Sequence, residues 1–168
     1  MNAIYYLYYP AWPDKKEQAF DIAFPELNED DAGTLGAFLF TEVDGMIYKD
    51  IKTCIENVLN HVTENESYTG NVYHLQIDAD VTTIFDLYSN EGDDYSDEDE
   101  FDEEEFDEDE DLREIEPTLE ISTSDLLAIM KDYRAKKDAF ASGWRPSIVI
   151  EEAPDKITQA LVVSKNSK

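Results

Sequence analysis

A strongly acidic stretch between Glu91 and Asp111 is the feature that most constrains how this chain folds. Sixteen of its 21 residues are Asp or Glu, and it contains no Lys or Arg. Because so many carboxylates repel one another and resist burial, we expect this stretch to stay extended or disordered in the free protein. The ordered fold must therefore be built from the residues before and after it.

The remainder of the 168-residue chain has the composition of a folded domain. Hydrophobic residues make up 42% of the sequence and aromatic residues 12%, whereas disordered chains are poor in aromatic residues. Outside the acidic stretch the chain has 25 acidic and 13 basic residues, so the folded part is acidic as well. We predict one α+β domain over residues 1–168, with a disordered acidic insertion at residues 91–117.

The formal net charge of −28 restricts the kind of partner that the chain can bind. Carboxylates repel phosphates, which argues against direct binding to nucleic acid or to an anionic membrane. No segment approaches the roughly 20 apolar residues of a membrane span, and the N-terminus lacks the pattern of a signal peptide. Since Cys54 is the only cysteine, no internal disulfide can form, and a cytoplasmic protein is predicted.

Hydrophobic periodicity predicts two principal helices. Between residues 48 and 64, apolar side chains recur at three- and four-residue steps from Ile51 to Val62, which places them on one face of a helix. A second helix follows the capping-box sequence at residues 122–125 and ends before Gly143.

Short segments rich in apolar and β-branched residues predict a mainly antiparallel sheet. Residues 72–77 and 81–88 form a hairpin whose turn lies at residues 78–80. The apolar run at residues 37–40 fits either a strand or the start of a helix. Further strands are predicted at residues 4–9, 119–121, 148–150 and 161–163, and a loop at residues 26–34.

Known catalytic and metal-binding motifs are missing from the sequence. It contains neither a glycine-rich phosphate loop nor a nucleophile elbow, and it does not match the EF-hand calcium pattern. His61 and His74 lie in no metal-binding spacing, and we interpret each as a partly buried structural imidazole. Cys54 falls on the apolar face of the first predicted helix, which favours a small core residue. We therefore predict no catalytic residues, no metal site, no cofactor and no enzymatic activity.

Aromatic residues interrupt the acidic stretch at Tyr95, Phe101 and Phe106. An acidic segment with spaced rings can dock on a basic cleft, because charge steers the encounter and the rings supply desolvated anchors. The alternative is a solvated loop whose aromatic residues are incidental. We favour docking on a basic protein partner. The predicted partner-binding residues are Asp86, Tyr88, Tyr95, Asp97, Glu98, Asp99, Phe101, Asp102, Phe106 and Asp107.

Residues 48–140 resemble bacterial immunity proteins of contact-dependent and other polymorphic toxin systems. The matching features are the helix at residues 50–62, the sequences Glu66-Ser67-Tyr68 and Gly70-Asn71, the hairpin, the acidic linker, and the strand and capped helix that follow it. The acidic linker of this chain is longer than is usual in such proteins.

The resemblance implies a protein that binds and neutralises a cognate toxin, a nuclease whose basic active-site groove is filled by an acidic surface. The alternative function is an acidic nucleic-acid mimic or a chaperone-like binder of basic proteins.

Overall fold

The computed structural model describes residues 1–8, 19–88 and 116–150, and it confirms the predicted α+β class with mainly antiparallel strand pairing. No helix in these ranges is both long and apolar enough to cross a membrane. The elements are β1 (Ile4–Tyr8), β2 (Ala19–Ala23), α1 (Glu29–Phe38), a π-helical turn (Leu39–Val43), α2 (Tyr48–Leu59), β3 (Asn65–Thr69), β4 (Tyr73–Asp78), β5 (Val81–Asp86), β6 (Leu119–Ser122), α3 (Thr123–Ala141) and β7 (Ile148–Ile150).

The chain divides into two compact units. The first unit combines Met1–Asp44 with Ala128–Lys168, and the second is Gly45–Leu127. The division falls within α3, which begins in the second unit and ends in the first. That all 168 residues form one domain stays a prediction.

The first unit contains a three-stranded sheet in the order β2-β1-β7. β1 pairs antiparallel with β2, Ile4 opposite Ala23, and parallel with β7, Tyr6 opposite Ile148. Apolar side chains from β1, α1 and α3 form its core, including the fully buried Leu35 and Met130. The predicted strand at residues 161–163 and the last residue of the predicted strand at residues 4–9 lie outside the described residues.

The prediction of a loop at residues 26–34 is wrong, because α1 begins at Glu29. The side chain of Asn28 accepts a hydrogen bond from the backbone N–H of Asp31 at 2.8 Å, which caps the helix. Three acidic residues in the first turn also interact favourably with the helix dipole. Burial of Leu35 and Phe38 then outweighs the low helix propensity of the two glycines in α1.

Basic residues near the end of α3 are engaged within the first unit. Arg134 Nη1 donates to the carbonyl oxygens of Val43 at 3.4 Å and Asp44 at 3.0 Å, and so satisfies backbone groups at the end of the π-helical turn. Lys137 Nζ lies 2.9 Å from the Asp44 carboxylate. Lys136 Nζ lies 4.8 Å from the centre of the Trp144 ring, a cation–π distance. These cations therefore have partners inside the fold.

The second unit contains a four-stranded antiparallel sheet in the order β3-β4-β5-β6. The predicted hairpin and the strand at residues 119–121 are confirmed, but β3 was not predicted. Helix α2 packs on β3 and β4, and its apolar stripe is fully buried at Ile51, Ile55 and Val58. It ends at Leu59, earlier than predicted, and His61 follows with a positive φ of 56°. Val62 N–H then donates to the carbonyl of Asn57 at 2.8 Å, reversing the chain.

Candidate partner-binding surface

Near the turn between β4 and β5, the two faces of the four-stranded sheet differ in polarity because side chains alternate along each strand. Leu75, Ile77 and Ile84 point to the face that α2 covers, where they are buried. Glu66 also belongs to this face, and its carboxylate lies 3.5 Å from the side-chain nitrogen of Asn57 in α2. The residues between these positions therefore lie on the opposite face.

Strand register brings a row of polar residues together on that opposite face. Ser67 pairs with Gln76, Gln76 with Thr83, and Thr83 with Glu120, so one row crosses all four strands. Ser67, Gln76 and Glu120 are exposed, and Thr83 is half-buried. Asp78, two residues beyond Gln76 in β4, is exposed on the same face, whereas His74 and Phe85, further from the turn between β4 and β5, are buried on it.

We call this surface the acidic face and define it by Ser67, Gln76, Asp78, Thr83 and Glu120, together with Asp80 in the adjoining turn. Asp80 is exposed, so three solvent-exposed carboxylates lie on or beside the face. The sequence has no Lys or Arg between Lys52 and Arg113. Lys49 and Lys52 belong to α2 on the other side of the sheet, where Lys52 Nζ lies 3.3 Å from Glu56. No basic side chain of the described second unit therefore offsets the charge of the acidic face.

Asp86 and Tyr88 are the predicted partner-binding residues that the structure describes. Asp86 ends β5, where its backbone N–H donates to Thr118 Oγ1 at 3.0 Å and its carboxylate accepts from the backbone N–H of Tyr88 at 2.9 Å. Tyr88 is 53% exposed. The bond to Thr118 holds together the two chain segments that flank the acidic insertion. The other predicted residues, Tyr95, Asp97, Glu98, Asp99, Phe101, Asp102, Phe106 and Asp107, lie outside the described residues.

Asp86 is not part of the acidic face. Asp86 follows Ile84 by two residues in β5, so its side chain points to the same side of the sheet as that of Ile84. Sequence reasoning missed Asp78 and Glu120, although polar Gln76 and Asp78 alternate with apolar Leu75 and Ile77 along the chain. That alternation indicates a strand with one exposed face, and it could have placed Asp78 on that face.

The two histidines and the cysteine differ in burial: His74 is buried, Cys54 is half-buried and His61 is exposed. His74 is buried, its Nδ1 lies 2.8 Å from Thr69 Oγ1, and its ring centre lies 5.9 Å from that of Phe85. His61 is exposed, so its interpretation as partly buried is wrong. Burial raises the pKa of the Cys54 thiol, and the nearby Glu66 and Asp50 carboxylates raise it further, which disfavours the nucleophilic thiolate. The described residues include no cluster of three or more His, Cys, Asp or Glu side chains suited to a metal ion.

Comparison of the chain with protein-family models, curated proteins and solved structures finds no match. The resemblance to immunity proteins and the functions that it implies therefore stay predictions.

Proposed function

We propose that this protein works by binding a basic protein partner through its acidic face and its acidic insertion. The observation that carries the proposal is the exposure of Asp78, Asp80 and Glu120 on a sheet surface with no basic side chain beside them from the part of the second unit that the structure describes. Exposed carboxylates in such an arrangement attract cationic surfaces over several ångströms and accelerate association.

The distribution of the cations supports the same proposal. Arg134 and Lys137 interact with Asp44 or its carbonyl oxygen, and Lys136 stacks over Trp144, all within the first unit. These bases stabilise their own unit. The acidic insertion, with 16 carboxylates between Glu91 and Asp111, joins β5 to β6 in the second unit and adds to its negative charge.

In its specific form, the proposal is that the partner is a toxin and that this protein is its immunity protein. A nuclease toxin needs a basic groove to hold phosphates, and an acidic protein that fills the groove excludes the substrate. Such an inhibitor requires a folded scaffold that presents carboxylates and aromatic rings. It requires no catalytic group of its own.

Coexpression with a candidate toxin tests this function directly. The candidate is a basic C-terminal domain of a secreted protein encoded immediately upstream, produced in bacterial cells with or without this chain. We expect that cells survive only when the chain is present, and that the two purified proteins form a complex at moderate salt. Survival that does not depend on the chain, together with no complex in dilute buffer, would overturn the proposal.

The alternative function, a nucleic-acid mimic or chaperone-like binder of basic proteins, gives a different result in the same assay. It predicts micromolar affinity for many unrelated cationic proteins, whereas immunity predicts tight binding to one. Measuring the affinity for the toxin beside that for a histone or lysozyme distinguishes the two functions.

A further inference from the structure

Strand β3 lies at an edge of the four-stranded sheet. It pairs with β4 on one side, and no described strand pairs with it on the other. Asn65, Ser67 and Thr69 are all exposed. Sheet edges are commonly protected by a lysine, a proline or a bulge, but the sequence NESYT of β3 contains neither lysine nor proline. Among the residues that the structure describes, nothing pairs with the outer edge of β3, which leaves it open to another strand.

The hydrogen-bond pattern identifies the backbone groups that face outward. Gly70 N–H donates to the carbonyl of Tyr73 at 2.8 Å, which makes these two residues a hydrogen-bonded pair at the turn between β3 and β4. Because such pairs alternate along an antiparallel ladder, Tyr68 and Glu66 also bond to β4. The N–H and C=O groups of the residues between them point away from the sheet. These residues are Asn65, Ser67 and Thr69.

Charge around β3 selects the kind of strand that can pair there. Glu64 precedes the strand and is exposed, Glu66 lies within it, and the exposed Asp78 is paired with Asn65. A second copy of this chain would bring the same carboxylates to the interface, and each copy carries a formal charge of −28. Like charges placed opposite one another destabilise strand pairs, whereas a basic segment gains from the same surroundings.

We propose that β3 binds an extended basic segment of the protein partner, which joins the sheet as a fifth strand. The inference rests on the proposed function in one respect, namely that the partner is basic. Main-chain hydrogen bonds to Asn65, Ser67 and Thr69 supply affinity, and alternate side chains supply specificity. In the partner's segment, we expect Lys or Arg at the position beside Glu66 and an apolar residue at the position beside the half-buried Tyr68.

The probe is the nine-residue peptide Lys-Thr-Val-Thr-Lys-Thr-Val-Thr-Lys, capped at both ends, which places Lys and Val in turn on one face of the strand, because Glu66 and Tyr68 share a face of β3. Its control has the same sequence with every backbone amide N-methylated, so it keeps the charge but cannot donate main-chain hydrogen bonds. We expect the parent peptide to bind the full chain at least about tenfold more tightly than the control. We also expect slower amide hydrogen exchange at Asn65, Ser67 and Thr69 when the parent peptide is bound.

Two variants at one position test the same contact from the protein side. Ser67→Pro removes an outward N–H without removing a bond to β4, and proline is tolerated on edge strands when its nitrogen faces solvent. Ser67→Thr keeps that N–H and is the matched control. We expect Ser67→Pro to lower the affinity for the parent peptide to that of the N-methylated one, and Ser67→Thr to leave it unchanged.

The outcomes separate this inference from the proposed function. Equal affinity for the two peptides, or unchanged exchange at the three amides, overturns strand addition and leaves the proposed function standing. Binding of the parent peptide together with no binding of any basic protein supports the edge site and contradicts the proposed function. The peptide comparison uses the unaltered chain, so it remains decisive if Ser67→Pro does not fold.

Discussion

The hydroxyl groups of Thr82 and Thr123 lie 3.0 Å apart, and both side chains are fully buried. Thr123 Oγ1 also donates to the carbonyl oxygen of Asp78 at 2.6 Å. Because a hydroxyl has a single proton, Thr123 must accept the proton of Thr82. The backbone N–H of Thr123 donates to the carbonyl of Asp80 at 3.1 Å as well, so the start of α3 is fixed to the turn between β4 and β5.

This arrangement predicts unequal effects of removing the two hydroxyls. Thr123→Val leaves the Asp78 carbonyl and the Thr82 hydroxyl without their partner, and we expect it to lower the free energy of unfolding by about 2 to 3 kcal/mol. Thr82→Val leaves one lone pair of Thr123 Oγ1 without a donor, and it should lower the free energy of unfolding by about 1 kcal/mol. Urea denaturation of both single variants and of the double variant measures the coupling. Equal losses would contradict the proposed direction of the bond, and losses that simply add would contradict the bond itself.

A second prediction concerns alkaline stability. Tyr5 Oη donates to the Asp132 carboxylate at 2.7 Å. Burial raises the pKa of Tyr5, and the hydrogen bond to Asp132 and the charge of that carboxylate raise it further. Burial also raises the pKa of Tyr133, together with the charges of Asp44 and Asp21. Both tyrosines therefore keep their protons in the folded state at pH values where an unfolded tyrosine loses its own.

The stabilisation from these raised tyrosine pKa values is complete below the ordinary pKa of about 10 and declines above it. Above that pH the unfolded state binds fewer protons, so the free energy of unfolding falls by at most about 1.4 kcal/mol per pH unit for each tyrosine. Denaturation between pH 8 and 11 measures this slope. Tyr5→Phe should make the slope shallower and cost about 1 kcal/mol at neutral pH.

Asp132→Asn is the control for the tyrosine prediction. It keeps an oxygen that accepts the bond from Tyr5 but removes the negative charge. Stability at neutral pH should change little, while the loss above pH 10 becomes smaller. An alkaline slope that neither variant alters would refute the role assigned to Tyr5.

A third prediction concerns the core of the second unit. Leu75 is fully buried on the face that α2 covers, so Leu75→Ala should lower the free energy of unfolding by about 2 to 5 kcal/mol through lost burial and a cavity. Val62, 70% exposed after α2, is the control, and Val62→Ala should cost less than about 0.5 kcal/mol. Similar losses at the two positions, measured by urea denaturation, would contradict the assigned packing.

A fourth prediction concerns association with the basic partner. Asp78→Asn and Glu120→Gln together should slow association and flatten its dependence on salt, because exposed charges act mainly on the encounter rate. Glu29→Gln and Asp30→Asn, exposed acids at the start of α1, are the matched control for total charge. Stopped-flow association rates at several ionic strengths compare the pairs. An equal slowing by both pairs would show that net charge, rather than the acidic face, governs the encounter.

A fifth prediction concerns the aromatic residues of the acidic insertion. If Phe101 and Phe106 are desolvated anchors, their replacement by Ala should accelerate dissociation and leave association nearly unchanged. Replacing the neighbouring Asp102 and Asp107 by Asn should mainly slow association. Surface-binding kinetics with the partner measure both rates, and dissociation that Phe101→Ala and Phe106→Ala leave unchanged would assign the contact to other residues.

Local patterns predicted the elements that carry their own periodicity. The apolar stripe from Ile51 to Val58 indicated α2, and the alternation around Leu75 and Ile77 indicated β4. Strand β3 lacks such a pattern, because its polar residues become a strand only by pairing with β4. Helix α1 was missed for a related reason, since packing of Leu35 and Phe38 stabilises a segment whose glycines, Asp and Asn resemble a loop.

The sequence by itself determined the large excess of negative charge, its concentration in the acidic insertion, and the local helices and hairpin, because these depend on composition and on neighbouring residues. Only the tertiary structure decided that Glu120 lies beside Thr83 and that β3 forms an edge. Strand pairing between β5 and β6 joins residues separated by the whole acidic insertion. The free energy of such pairing comes from contacts distant in sequence, which no local pattern records.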